Sequence, residues 1–456
     1  MQALIHPLTE LADYEEIVKN KRKGPGAIRI LGCVNSQKTH MMYGLSDGCR
    51  YKVIICSSES KAKQIYEEYR FLDRSVYLYP AKDLLFYQAD LRSKELVRER
   101  MEVLEAVIEG RPLTVVASFD ALMDSLLPKE IIAGRTIRVS YDGTLELSAM
   151  EKALADLGYE RVVQIEGPGQ FAVRGGILDV FPLTEELPVR IELWGDEVDS
   201  IRTFDVESQR SIENLTEASI CPSIEFPGEG EQGVSFLDYF PADETLLFLD
   251  EPVRLMEKGQ GVEEEFIEAQ KKRVESGYEL KDGEVRLYGT EEILNRINTY
   301  SSIGFYALDM RCKGLLIRES YHIQAKSVNP YNSSFELLTQ DLKRLKRNGY
   351  RVVLLSGSRT RAKRLAEDLR DYNLSSYYSD DLDRLAEPGE IMTAYGHVAE
   401  GYEYPMLKFT VISETDIFGK VKKKKKRKTY EGRKIQSFSE LKPGDYVVHE
   451  NHGLGI

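Results

Sequence analysis

Tryptophan occurs once, at position 194, and cysteine five times, at Cys33, Cys49, Cys56, Cys221 and Cys312. The cysteine spacings give neither the paired pattern of a zinc site nor the density of a disulfide scaffold. Isolated thiols of this kind are mostly small buried hydrophobes, so no metal or redox role is expected. No apolar run approaches the roughly 18 residues that a membrane-spanning helix needs. The opening MQALIHPLTELADYEE is too acidic for a secretory signal, so the chain is expected to be cytoplasmic, with no membrane partner. Excess positive charge is missing as well. The net charge is −13, and ten basic residues with one acid fall between Lys420 and Lys434, which leaves a net −22 on the rest. An acidic body opposes non-specific contact with phosphates, so DNA binding by this chain is expected to be weak or absent.

What is present is ordinary globular material, 42% hydrophobic and 30% charged over 456 residues, enough for several domains. The stretch that organises the reading is Gly169 to Pro182, GQFAVRGGILDVFP. Phe171 and Val173 alternate with Ala172 and Arg174, the pattern of a half-buried strand. Gly175 and Gly176 permit a tight bend, and the apolar run Ile177 to Phe181 follows, ended by Pro182. A small antiparallel sheet with an arginine on its open side is expected. Farther on, Val189, Ile191 and Leu193 alternate with Arg190, Glu192 and Trp194 before a Gly195-Asp196 turn.

A second pattern lies near the N-terminus. The strand Ala27 to Cys33 leads into Val34 to Thr39 and a helix through Leu45, the layout of a phosphate-binding loop. Against G-x-x-x-x-G-K-[ST], Gly32, Lys38 and Thr39 are in place, but Gln37 stands where the second glycine belongs. That glycine lets backbone N–H groups approach the phosphates, and a side chain there obstructs the cradle. Leu246 to Asp250, followed by Glu251, has the form of the strand that ends in magnesium-binding acids. Gly32, Gln37, Lys38, Thr39, Asp250 and Glu251 are therefore read as a vestigial nucleotide site, its shape kept and its chemistry lost. No cofactor is expected in this fragment.

The string 169–182, with its continuation through Phe204 to Ser211, resembles over about forty residues the partner-binding module shared by the UvrB repair helicases and the bacterial transcription-repair coupling factors. The resemblance implies docking onto UvrA, with Arg174 and Arg161 on an open sheet face, and more weakly Phe171, as contacts. Phe171 shares the inward parity of Val173, which favours core over contact. An arginine suits such a role because its planar fork pairs bidentately with carboxylates. Val76 to Gln88 is too short for the aromatic hairpin that a UvrB helicase threads between DNA strands. Phe438 to Ile456, FSELKPGDYVVHENHGLGI, resembles the start of the RNA-polymerase-interacting domain of the coupling factors. Both features favour the coupling-factor family over a UvrB-type ATP-dependent repair helicase, the alternative reading.

The expected fold class is α/β. A degenerate RecA/UvrB-like parallel-sheet lobe (1–127 and 208–325) carries an inserted antiparallel α+β UvrA-binding domain (128–207). A small separate α/β domain (326–418), a basic linker (419–434) and an incomplete polymerase-interacting domain (435–456) follow. Ser356-Gly357-Ser358 before a helix is a weak anion-binding candidate. By this resemblance the chain is expected to be an adaptor truncated within a longer protein. The RNA polymerase β subunit would bind through the truncated domain. ATP, magnesium and firm DNA binding would belong to motor domains outside this chain.

Overall fold

Short apolar runs bounded by turn residues and covered on both sides form parallel strands in sheets flanked by helices. The computed structural model describes residues 1–82, 94–227, 231–275, 287–419, 447–449 and 453–455. The N-terminal helical stretch is divided. Helix α1 (Gln2–Ile5) precedes a 3-10 turn, His6–Glu10, opened by Pro7, and α2 (Tyr14–Asn20) follows. Strand β1 (Gly26–Leu31) feeds α3 (Asn35–Leu45), and β2 (Tyr51–Cys56) feeds α4 (Glu59–Leu72). Next come β3 (Val76–Tyr79), α5 (Lys94–Ile108), β4 (Leu113–Ser118), β5 (Ser125–Leu126) and α6 (Lys129–Arg135). Of the stretch Val76 to Gln88, expected to be too short for an aromatic hairpin, residues 83–88 lie outside the described residues.

The insertion follows. It comprises β6 (Ile137–Ser140), α7 (Leu147–Asp156), β7 (Glu160–Arg161), β8 (Gln170–Arg174) and β9 (Ile177–Phe181). It continues with β10 (Val189–Trp194), β11 (Glu197–Phe204), β12 (Ser211–Leu215) and β13 (Glu217–Ile220). Strands β12 to β7 form one sheet, antiparallel except where β7 joins β8, and β13 pairs with β6. The insertion therefore runs past its expected end at residue 207: the polar Asp205–Ser211 segment is a turn between paired strands. Strand β14 (Val234–Ser235) pairs with β5 and clamps the two ends of the excursion.

The chain then returns to the lobe with β15 (Thr245–Asp250), α8 (Pro252–Glu275), α9 (Thr290–Ile297), β16 (Ser301–Tyr306) and β17 (Ile317–His322). The lobe sheet has the order β17-β1-β16-β15-β2-β4-β3 and is parallel throughout.

The last unit has β18 (Lys326–Ser327), α10 (Phe335–Arg347), β19 (Arg351–Ser356), α11 (Arg359–Asp371) and β20 (Tyr377–Ser379). It closes with β21 (Ile391–Tyr395), β22 (Tyr402–Tyr404), β23 (Phe409–Ser413) and α12 (Glu414–Phe418). Its sheet, ordered β18-β22-β23-β19-β21-β20, is its own. Its core is shared: Val353, Leu355, Met392, Tyr402, Tyr404 and Phe409 belong to one apolar cluster with Ile28, Ile30, Met41 and Phe248 of the lobe. Beyond the linker, most of which lies outside the described residues, β24 (Val447–His449) and β25 (Gly453–Gly455) pair as an antiparallel hairpin.

Candidate functional site

Two sites follow from this architecture. The first is the insertion's sheet. Its inner face buries Phe171, Leu178, Val180, Ile191 and Ile201 against Met150 and Leu154 of α7. Phe171 is only 1% exposed, so the expected contact role is corrected. Directly paired residues share a face, and on the outer face the register aligns Arg174, Ile177, Glu192 and Ser200 in one row across β8 to β11. Ala172, Asp179, Arg190 and Arg202 form the next row.

Charges in these rows are mostly spent. Arg190 grips Asp179 with Nε to Oδ1 at 2.7 Å and the second bond at 2.9 Å, while its guanidinium lies 4.4 Å from the Phe204 ring centre. The Asp179 hydrogen bonds hold the Arg190 pKa above its ordinary value despite partial burial. Arg202 is paired with Glu192. Arg174 differs. Its Nε donates to the Val163 carbonyl at 3.1 Å, a second guanidinium N–H shares that oxygen, and among the described residues it pairs with no carboxylate. It is exposed, as are Val163, whose carbonyl it binds, at 88%, and Trp194, at the end of β10 two residues past Glu192, at 82%.

Arg161 does not join that face. It is registered with Phe171, which puts it on the α7 side, where it pairs with Glu151 at 3.1 Å. Strand β7 is two residues long. The Glu166 and Gly167 N–H groups bond the Gln170 side chain, at 2.9 and 3.1 Å, and Ile165 tucks beneath Ala172, Phe181 and Phe204. That turn brings the Val163 carbonyl to Arg174.

The second site is at the carboxyl ends of β1 and β15, where parallel sheets place their ligands. The structure brings all six expected residues together. Gly32 has φ +78°, and a Cβ there would stand 2.2 Å from the Ile323 carbonyl oxygen, so only glycine fits. Lys38 reaches Asp250 at 2.7 Å and Glu251 at 2.6 Å, in a pocket where it is 4% exposed. Burial pulls the Lys38 pKa down, but the two carboxylates more than offset this and the net shift is upward. Glu251 has φ +54°, a left-handed value uncommon outside glycine. Its N–H donates to the Phe305 carbonyl at 3.0 Å and its carboxylate accepts from the Ala307 N–H at 2.9 Å. The buried Thr39 hydroxyl finds no partner among the described residues.

Gln37 is fully buried. Its Oε1 accepts from the Val34 N–H at 3.1 Å, and its Nε2 donates to the Tyr404 hydroxyl of β22 at 3.1 Å. In this arrangement the residues do not fit a nucleoside triphosphate, because the amide fills the cradle and the ammonium is already neutralised twice. Tyr404, Glu400 and Glu68, which also meet at this loop, carry no motif signal and were missed from the sequence. The Ser356-Gly357-Ser358 turn is likewise occupied. The Glu414 carboxylate accepts from the Gly357 N–H at 2.7 Å and the Ser356 hydroxyl at 3.0 Å.

Comparison with known proteins matches residues 137–226 to the family described as the UvrB interaction domain. That segment is similar to UvrB interaction domains. The match begins at the first residue of β6 and ends six residues after β13, so it encloses both faces of the Arg174 sheet. Along 98% of its length the chain is 28% identical to the transcription-repair-coupling factor of Bacillus subtilis (strain 168), covering 43% of that protein. It is 26% identical, over 85% of its length and 38% of the relative's, to the transcription-repair-coupling factor of Staphylococcus haemolyticus. The chain thus spans less than half the length of the curated relatives it matches. Among the described residues no helix is long and apolar enough to cross a membrane, and no cluster of potential metal ligands occurs.

Proposed function

We propose that this chain is a UvrA-recruiting region of a transcription-repair coupling factor, linking stalled RNA polymerase to nucleotide excision repair. The observation that carries this reading is the outer face of the UvrB interaction domain. There Arg174, which among the described residues pairs with no carboxylate, holds the Val163 carbonyl, and the exposed Trp194 lies at the end of β10, two residues past the Glu192 of its row. An aromatic and an arginine on a half-apolar surface are the usual anchors of protein interfaces, and a guanidinium tied only to a carbonyl keeps donors free for a partner's carboxylate. Arg161, on the opposite face at the β7 edge, would be reached by a partner that wraps that edge. The hairpin β24–β25 supports RNA polymerase as a further partner, and motor activity and DNA tracking would reside in regions the relatives have beyond this match. A UvrB-type helicase is the poorer reading, since Gln37 and Lys38 are committed within the protein.

Titration of UvrA against wild type and Arg174→Glu tests the proposal. Loss of an anchoring arginine typically costs about 2 kcal/mol, some thirtyfold in affinity. The melting temperature should stay within about 1 °C, because Arg174 holds only one exposed carbonyl. Equal affinity of the two proteins would refute it.

A further inference from the structure

The loop from Gly32 to Thr39 directs polar groups across the seam to the 326–418 unit. Gln37 donates to the Tyr404 hydroxyl at 3.1 Å. That hydroxyl lies 3.0 Å from His40 Nδ1, and His40 Nε2 lies 2.7 Å from the Leu4 carbonyl. A carbonyl only accepts, so Nε2 carries the proton and Nδ1 accepts from Tyr404. The result is a directed chain: Gln37 to Tyr404, Tyr404 to His40, His40 to Leu4. It leaves the lobe, enters β22 and returns.

Beside it, the Ser36 hydroxyl donates to Glu68 at 2.6 Å and accepts from the Glu400 N–H at 3.1 Å. Glu68 also accepts from the Ala399 N–H at 3.1 Å, and Asn35 donates to the Glu400 carboxylate. The N-terminal segment straps the same seam. The Ala3 N–H donates to the Leu382 carbonyl at 2.7 Å, and Arg351 holds Glu10 bidentately at 2.6 and 2.7 Å.

We propose that the loop from Gly32 to Thr39 works as a docking socket for the 326–418 unit, a nucleotide-independent latch in which Gln37, Tyr404 and His40 are the coupled contacts. Glutamine at position 37 then has a positive reason. Glycine could not reach across, whereas an amide both caps the start of α3 and bridges to β22. Tyr404 presents its hydroxyl at full burial, where an unpaired polar group is costly, so the relay holds as a unit. The inference is independent of the UvrA reading, since it concerns a different face and a different partner.

Hydrogen exchange on the full chain, read by mass spectrometry, tests it. Tyr404→Phe keeps the ring and deletes only the bridging hydroxyl. Exchange should quicken about five- to tenfold in residues 34–40 and 396–404 together, the effect of one buried hydrogen bond on local opening. Rates in β10 and β11 of the insertion should not change. Gln37→Ala should reproduce this pattern, and the double variant should add little, because coupled contacts are not additive. Added magnesium ATP should leave the wild-type pattern as it is. Quickening on one side of the seam only, additive single effects, or ATP protection of residues 32–39 would each overturn the proposal.

Discussion

Lys38 sits between Asp250 and Glu251 as a counter-ion that the protein supplies to itself. Deleting one partner of such a buried cluster leaves uncompensated charge and typically costs about 3–5 kcal/mol. Lys38→Ala should therefore lower the unfolding free energy by that amount, read as a lower urea midpoint with an unchanged slope; a phosphate-binding lysine free in its loop would leave stability nearly intact. How far these residues could be read from sequence varies. The motif register exposed Gln37 as an obstruction, but not the destination of its amide, because Tyr404 lies 367 residues away and no local pattern announces it. Alternation along one strand was enough to turn Phe171 inward and Arg174 outward. The separation of Arg161 from Arg174 depends on register between two strands, and that register is set by a loop whose hydrogen bonds have no signature.

Elements are legible where apolar runs are bounded by turn residues, as in β9, β10 and β15. They are not where the sheet is exposed on both sides. Strand β12 has almost no buried residue to mark it, which is why the insertion looked finished before it was. Between α3 and β22 a different property emerges. His40 is buried among Tyr402, Tyr404 and Phe409, and burial pushes its pKa down to about 4. The unfolded chain titrates near 6.5, so between these values the unfolded state binds more protons and stability falls as pH drops. The decline should amount to about 3 kcal/mol by pH 4. Urea midpoints of wild type and His40→Gln between pH 7 and 4 check this: the wild-type curve should be the steeper.

For the molecule as a whole, the acidic charge balance and the α/β class were plain from composition and pattern. The merging of two sheets over one apolar cluster was not, since each half reads as a self-sufficient unit. The shared cluster predicts joint unfolding. Calorimetry should give one transition for the lobe and the 326–418 unit, with the calorimetric enthalpy of that peak matching its van't Hoff value; two resolved peaks assigned to these parts would contradict it. The Glu414 carboxylate on the Ser356-Gly357-Ser358 turn has a consequence of its own. A turn already satisfied by a neighbouring acid has no vacancy for a metabolite's charge. With Lys38 likewise engaged, this half of the molecule would hold its shape whether the cell is rich or poor in energy, leaving its responses to the proteins it meets.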